Sequence, residues 1–151
     1  FDGSDVELTT NNEDIDAIDI LSDGRVVIST LGAFSVTGAS GDDKDLAAFT
    51  PTALGATTTG SWALYFDASD VGLTTTTEDV NGVWVASNGD IYLSTLGAFS
   101  VTGASGDGAD IFRCVPSSIG STTACTFNLY WDGSANGFAG EVLDGFALVL
   151  P

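Results

Sequence analysis

The sequence predicts an all-β fold, and three observations predict it. The stretch Ser29-Thr-Leu-Gly-Ala-Phe-Ser-Val-Thr-Gly-Ala-Ser-Gly-Asp42 returns letter for letter as Ser94 to Asp107, so the 151-residue chain is built of repeats at an offset of 65. Strand-like runs are separated by Ser22-Asp23-Gly24 and Ser87-Asn88-Gly89, and Asp-Gly or Asn-Gly tolerates the positive φ that two-residue hairpin turns require. Helical periodicity is absent, and 19 glycines with threonine runs at 57–59 and 74–77 are poor helix material.

In chain order, Glu13 to Leu21 alternates mostly with period two and reads as a strand with one wet face. Arg25 to Thr30 is continuous and β-branched, as expected of a strand buried on both faces. Ala33 to Val36 is a short strand, and Gly38 to Asp45 reads as a loop. Leu46 to Thr50 is a further strand that Pro51 is expected to end by removing a ladder donor. A Thr- and Gly-rich turn leads to the last strand of the unit, Ser61 to Phe66. The second copy repeats the pattern with strands at 80–85, 90–95, 98–101, 111–115 and 126–131. Residues 1–65 and 66–130 are thus two repeats of about four strands each, and 131–151 opens a third that resumes at Glu141-Val-Leu-Asp-Gly145.

The pattern Asp79-Val-Asn-Gly-Val-Trp-Val-Ala-Ser-Asn-Gly-Asp-Ile-Tyr-Leu-Ser-Thr95, matched at Asp14 to Thr30, resembles the opening hairpin of β-propeller blades. The whole unit, with its Phe-Asp-Gly-Ser-Asp-Val start, is similar to tandem repeats of large secreted and surface proteins of bacteria. That resemblance implies blade-like antiparallel sheets without helices. A closed propeller needs about four to eight blades, so two and a fraction imply open stacking of units, cooperation of several chains, or a two-sheet sandwich.

Composition excludes several functions. Against 21 acids stand only Arg25, Lys44 and Arg113, a formal charge of −18, so the basic face that nucleic acid requires is missing and an anionic membrane surface is disfavoured. No run of 18 apolar residues marks a membrane span. The chain lacks Met and begins at Phe1, which suggests a removed leader or a cut from a longer precursor; secretion or the cell surface is the expected location. Cys114 and Cys125 flank a hairpin-like connection, where a disulfide would point to an oxidising compartment; two buried free thiols are the alternative. Without His, Ser-His, Cys-His and His-ligated zinc sites are excluded, and no catalytic constellation stands out, so a non-catalytic protein is expected. Trp62, Trp84, Trp131 and the three tyrosines fall mostly at strand positions and read as core, with sugar stacking as the alternative. The threonine runs invite O-glycosylation, and no N-glycan sequon occurs.

Carboxylates recur in phase with the repeat, and oxygen-rich loops suit Ca²⁺. Asp42 and Asp45 are matched by Asp107 and Asp110, Asp2 and Asp5 by Asp67 and Asp70, and Glu13 (with Asp16) by Glu78 (with Asn81). These ten residues, Asp16 and Asn81 aside, are the candidate ligands; solvated acidic turns are the plainer alternative. The last apolar run, Phe146, Ala147, Leu148, Val149 and Leu150, reads as the opening strand of an unfinished unit. It is expected to dock on the first-unit edge near Ile15, Ala17 and Ile18 of a neighbouring copy. The expected function is therefore a homopolymeric, Ca²⁺-stabilised fibre or surface-layer subunit, with a Ca²⁺-dependent carbohydrate-binding or adhesion module as the alternative.

Overall fold

A computed structural model describes residues 1–149; Leu150 of the terminal run lies outside them. The chain is all-β, with strands β1 (Ile15–Ile20), β2 (Val26–Thr30), β3 (Phe34–Val36), β4 (Ala39–Gly41), β5 (Leu46–Ala53) and β6 (Thr59–Phe66) in the first repeat. The second carries β7 (Val80–Val85), β8 (Ile91–Thr95), β9 (Phe99–Val101), β10 (Ala104–Gly106), β11 (Ile111–Ser118) and β12 (Ala124–Trp131). Helical structure among the described residues is confined to single 3-10 turns of three or four residues.

Each repeat forms one four-stranded antiparallel sheet, in the orders β1-β2-β5-β6 and β7-β8-β11-β12, plus a two-stranded hairpin, β3-β4 or β9-β10. Antiparallel units of this kind, repeated in tandem, are compatible with the blade-like reading. Two local expectations change. The segment read as the loop 38–45 contains β4, paired to β3 from Ala39 to Gly41. Its Gly-Ala-Ser-Gly sequence has low strand propensity, so tertiary pairing overrides it. Strand β5 also runs on through Pro51, which faces Gly60. Only Val26 to Ile28 of β2 pair with β5, so at Pro51 the strand has a free flank where a missing N–H is tolerated.

The two faces of the first sheet have different covers. Val26, Ile28, Ala47, Phe49 and Trp62 pack under the β3-β4 hairpin and the turn carrying Val6. The Trp62 indole N–H donates to the Val6 carbonyl at 2.9 Å and pins that turn. On the opposite face Ala17, Val27, Ala48 and Tyr65 join Val80, Val83, Ile91 and Leu93 of the second repeat in the largest core. The second repeat therefore seals the sheet of the first, as units do in a stack.

Candidate assembly interface

The junction between repeats is made chiefly by β7. Its apolar residues Val80 and Val83 are 0% and 3% exposed against the first sheet, and the Val80 N–H donates to the Asp43 carbonyl at 3.0 Å. The Val85 N–H donates to Asp19 Oδ2 at 2.7 Å, so the register between the two sheets is also fixed by polar contacts.

Both halves of this junction recur at the outer ends of the chain. On β1, the residues that occupy the places of Val80, Val83 and Val85 are Ile15, Ile18 and Ile20, and they are 37%, 54% and 68% exposed. In this structure that apolar edge is open to water. At the other end, the face of the second sheet that corresponds to the sealed face of the first carries Trp84, Tyr92, Ile111, Tyr130 and Trp131. Tyr130 is 41% exposed where its counterpart Tyr65 is 6% exposed. Of the aromatics, Trp62, Tyr65 and Tyr92 are buried, the last of them on this outward face, whereas Trp84, Tyr130 and Trp131 are its partly open members.

The terminal segment covers part of it. Leu143, Phe146 and Leu148 pack with Ala86, Tyr92 and Ile111 of the same chain, without strand pairing. Ala147 is exposed and Val149 almost fully so. The structure thus places Phe146 and Leu148 on the second sheet of their own chain. Ala17 is itself buried in the inner junction.

No protein-family model, curated protein or solved structure matches this chain. The blade-like reading rests on the repeat geometry alone.

The candidate Ca²⁺ ligands each serve the backbone. Asp45 Oδ2 accepts the Asp42 N–H at 2.9 Å while Oδ1 accepts that of Ala68 at 2.8 Å, and Asp110 does the same for Asp107 and Gly133, both at 2.9 Å. These two carboxylates bind the end of one repeat's loop to the start of the next repeat. Burial holds the Asp45 carboxyl above its usual range despite both bonds. Asp42 and Asp107 accept the N–H two residues ahead, at Lys44 and Ala109, closing Asx turns. Asp2 and Asp67 accept from Ser4 and Ser69, and Asp5 and Asp70 accept the N–H of Thr58 and Thr123 at 2.8 Å, tying each repeat's first turn to its own hairpin. Glu13 and Glu78 reach back to the amides of Thr10 and Thr75 and across to Ser35 and Ser100. Among the described residues no three of His, Cys, Asp or Glu gather as a metal-binding group.

Cys114 and Cys125 form a disulfide between β11 and β12. In the first repeat the same places hold Phe49 and Gly60, and the Phe49 ring lies directly over Gly60, so an aromatic contact replaces the covalent one.

Two features were not singled out from sequence. Asp16 and Asp79 face one another across the junction, each with one buried carboxylate oxygen that has no hydrogen-bond partner. Burial, and secondarily the charge of Asp79, pushes the Asp16 carboxyl up to about 7; burial and the charge of Asp43 push Asp79 up to about 6. The second is Glu7, the one non-glycine residue with positive φ among those described, at 76°, where the other repeats have Gly72 and Gly137. Its carboxylate accepts the Thr37 N–H at 2.7 Å and the Thr37 hydroxyl at 2.9 Å. Glutamate at a glycine position was the available signal for this one.

Proposed function

We propose that this protein is a non-catalytic structural subunit that assembles head to tail, the first repeat of one copy seating on the second repeat of another, to form a fibre or surface layer. The observation that carries this reading is the contrast between Val80, Val83 and Val85, covered wholly or largely by a preceding repeat, and Ile15, Ile18 and Ile20, which occupy the same places in water. Fully burying an isoleucine side chain is worth about 1.5–3 kcal/mol, and β1 is an edge strand whose open side is a template for a further strand. A head-to-tail contact that does not close on itself propagates.

An extracellular setting suits the disulfide, which persists in oxidising compartments. Among the described residues no helix is long and apolar enough to cross a membrane. The charge of −18 makes copies repel one another at low ionic strength, so assembly is favoured by salt, by mild acid or by divalent cations drawn to the acidic turns.

Sedimentation and electron microscopy across protein concentration and salt test the reading. Ordered polymers are expected, and Ile18→Asp with Ile20→Asp is expected to leave folded monomers. A protein that stays monomeric at high concentration from low to high salt, with and without Ca²⁺, overturns it.

A further inference from the structure

The outward face of the second sheet is held by a segment in the register of a repeat. Aligned on their glutamates, Glu13-x-x-x-Ala17, Glu78-x-x-x-Gly82 and Glu141-x-x-x-Gly145 make Leu143, Phe146 and Leu148 the counterparts of Val80, Val83 and Val85, and equally of Ile15, Ile18 and Ile20. The Leu143 N–H donates to the Gly108 carbonyl at 2.7 Å, just as the Val80 N–H donates to Asp43, the residue in the place of Gly108 one repeat earlier. The Ser94 hydroxyl adds a bond to the Leu143 carbonyl at 3.1 Å. The ring of Phe146 lies against Gly82, where the first repeat has Ala17.

Resting on the stacking reading above, we propose that residues 132–149 are a displaceable occupant of this face, and that Ile15, Ile18 and Ile20 of a second copy take the same seat when copies assemble. The occupant is loosely held. From Glu141 to Val149 it forms no strand, and it leaves an apolar cavity of about 200 Å³ bordered by Ile111, Tyr130 and Trp131. Segments with few buried contacts and little backbone pairing open at low cost. A second copy brings a complete hydrogen-bonded sheet behind the same three apolar positions.

The polar groups also fit the exchange. Inside the chain Asp16 meets Asp79 across the junction, an arrangement of like charges. At the outward face Asn81 stands in the place of Asp16, and the incoming counterpart of Asp79 is Asp14, so an amide meets a carboxylate instead. Gly3 is the first-repeat counterpart of Ala68 and Gly133, whose amides bond Asp45 and Asp110, so the Asp110 carboxylate has a replacement donor once Gly133 leaves. Released, the backbone of the displaced segment can add along the open edge of β1 on the incoming copy.

The test compares assembly of full-length variants by light scattering and sedimentation, with near-ultraviolet circular dichroism confirming the fold. Phe146→Ser with Leu148→Ser, and separately Leu143→Ser, weaken the occupant without touching any strand; both are expected to bring assembly on at a concentration on the order of tenfold lower than wild type. Adding Ile18→Ser and Ile20→Ser to either variant is expected to abolish that gain. Assembly that Ile18 and Ile20 control, but that the terminal variants leave unchanged or weaken, overturns the exchange while sparing the stacking. Monomers throughout, in wild type and all variants, overturn the stacking reading and the exchange with it.

Discussion

Asp45 Oδ1 accepts the backbone N–H of Ala68 at 2.8 Å, and through that contact the first repeat holds the start of the second. Asp45→Ala leaves a partly buried amide without its acceptor, which costs about 1–3 kcal/mol. Asp110→Ala is expected to cost less, because the residues after Gly133 are mostly exposed. Denaturant midpoints measure both. Since these carboxylates are already engaged by amides, thermal melts with and without excess chelator are expected to coincide; a lower melting temperature in chelator would assign a bound divalent cation to the acidic turns.

Much of the fold was legible because the chain states its own period, and the strands fall between Asp-Gly and Asn-Gly turns. Even the irregularity in β1 left a trace. The acidic positions switch phase between Asp16 and Asp19, directly after the bulge between Ile15 and Ala17. By contrast β4 lacked β-branched residues to announce it. The different environments of Val83 and Ile18 were not legible either, since both are β-branched residues in equivalent strands and only the stacking order separates them. Asp16 and Asp79 are 63 positions apart and carry no local motif, so their meeting required the packing of sheet on sheet.

The disulfide is an addition to the second repeat rather than part of the common unit. With a sequence separation of 11 between its ends it is worth about 2–3 kcal/mol on the chain-entropy account, so reduction should lower stability and leave the fold intact. Cys114→Phe with Cys125→Gly installs the first repeat's own solution. That variant is expected to melt at the same temperature with or without reductant, and to match or exceed the reduced wild type. A variant that fails to fold would show that the aromatic contact over Gly60 does not transfer.

Glu7 holds a left-handed conformation that costs a residue with a Cβ about 1–2 kcal/mol, and offsets it with two bonds to Thr37. Glu7→Gly removes the strain and the bonds together, so its net effect is expected to be small. Glu7→Ala keeps the strain and loses the bonds, so it should be the less stable of the two. Equal urea midpoints for the two variants would contradict this.

The junction carboxylates make stability depend on pH in an unusual direction. Asp16 and Asp79, raised to about 7 and about 6, bind protons more tightly folded than unfolded. Their contribution is fully present below the unfolded value near 3.8 and is lost as pH rises through about 6 to 7. The groups facing them are also mostly acidic: Asp43 lies near both, and Asp42 near Asp79, with Lys44 as the one opposing charge. Glu13 works the other way. The N–H of Thr9, with those of Thr10 and Ser35, holds it below 4.5, so its contribution is lost in stronger acid. Melting temperature is therefore expected to rise as pH falls from about 7.5 to about 5, and to drop again below about 4. Measuring at high, constant ionic strength separates this pair from the diffuse repulsion of the −18 charge, which salt screens. Asp16→Asn places at the first junction the residue that Asn81 already supplies in the second repeat, and should flatten the slope between pH 5 and 7.5 while raising stability at neutral pH. A wild-type melting temperature that stays flat or drops as pH falls over that interval, or a slope that survives Asp16→Asn and Asp79→Asn together, would show that the two carboxylates do not govern the junction.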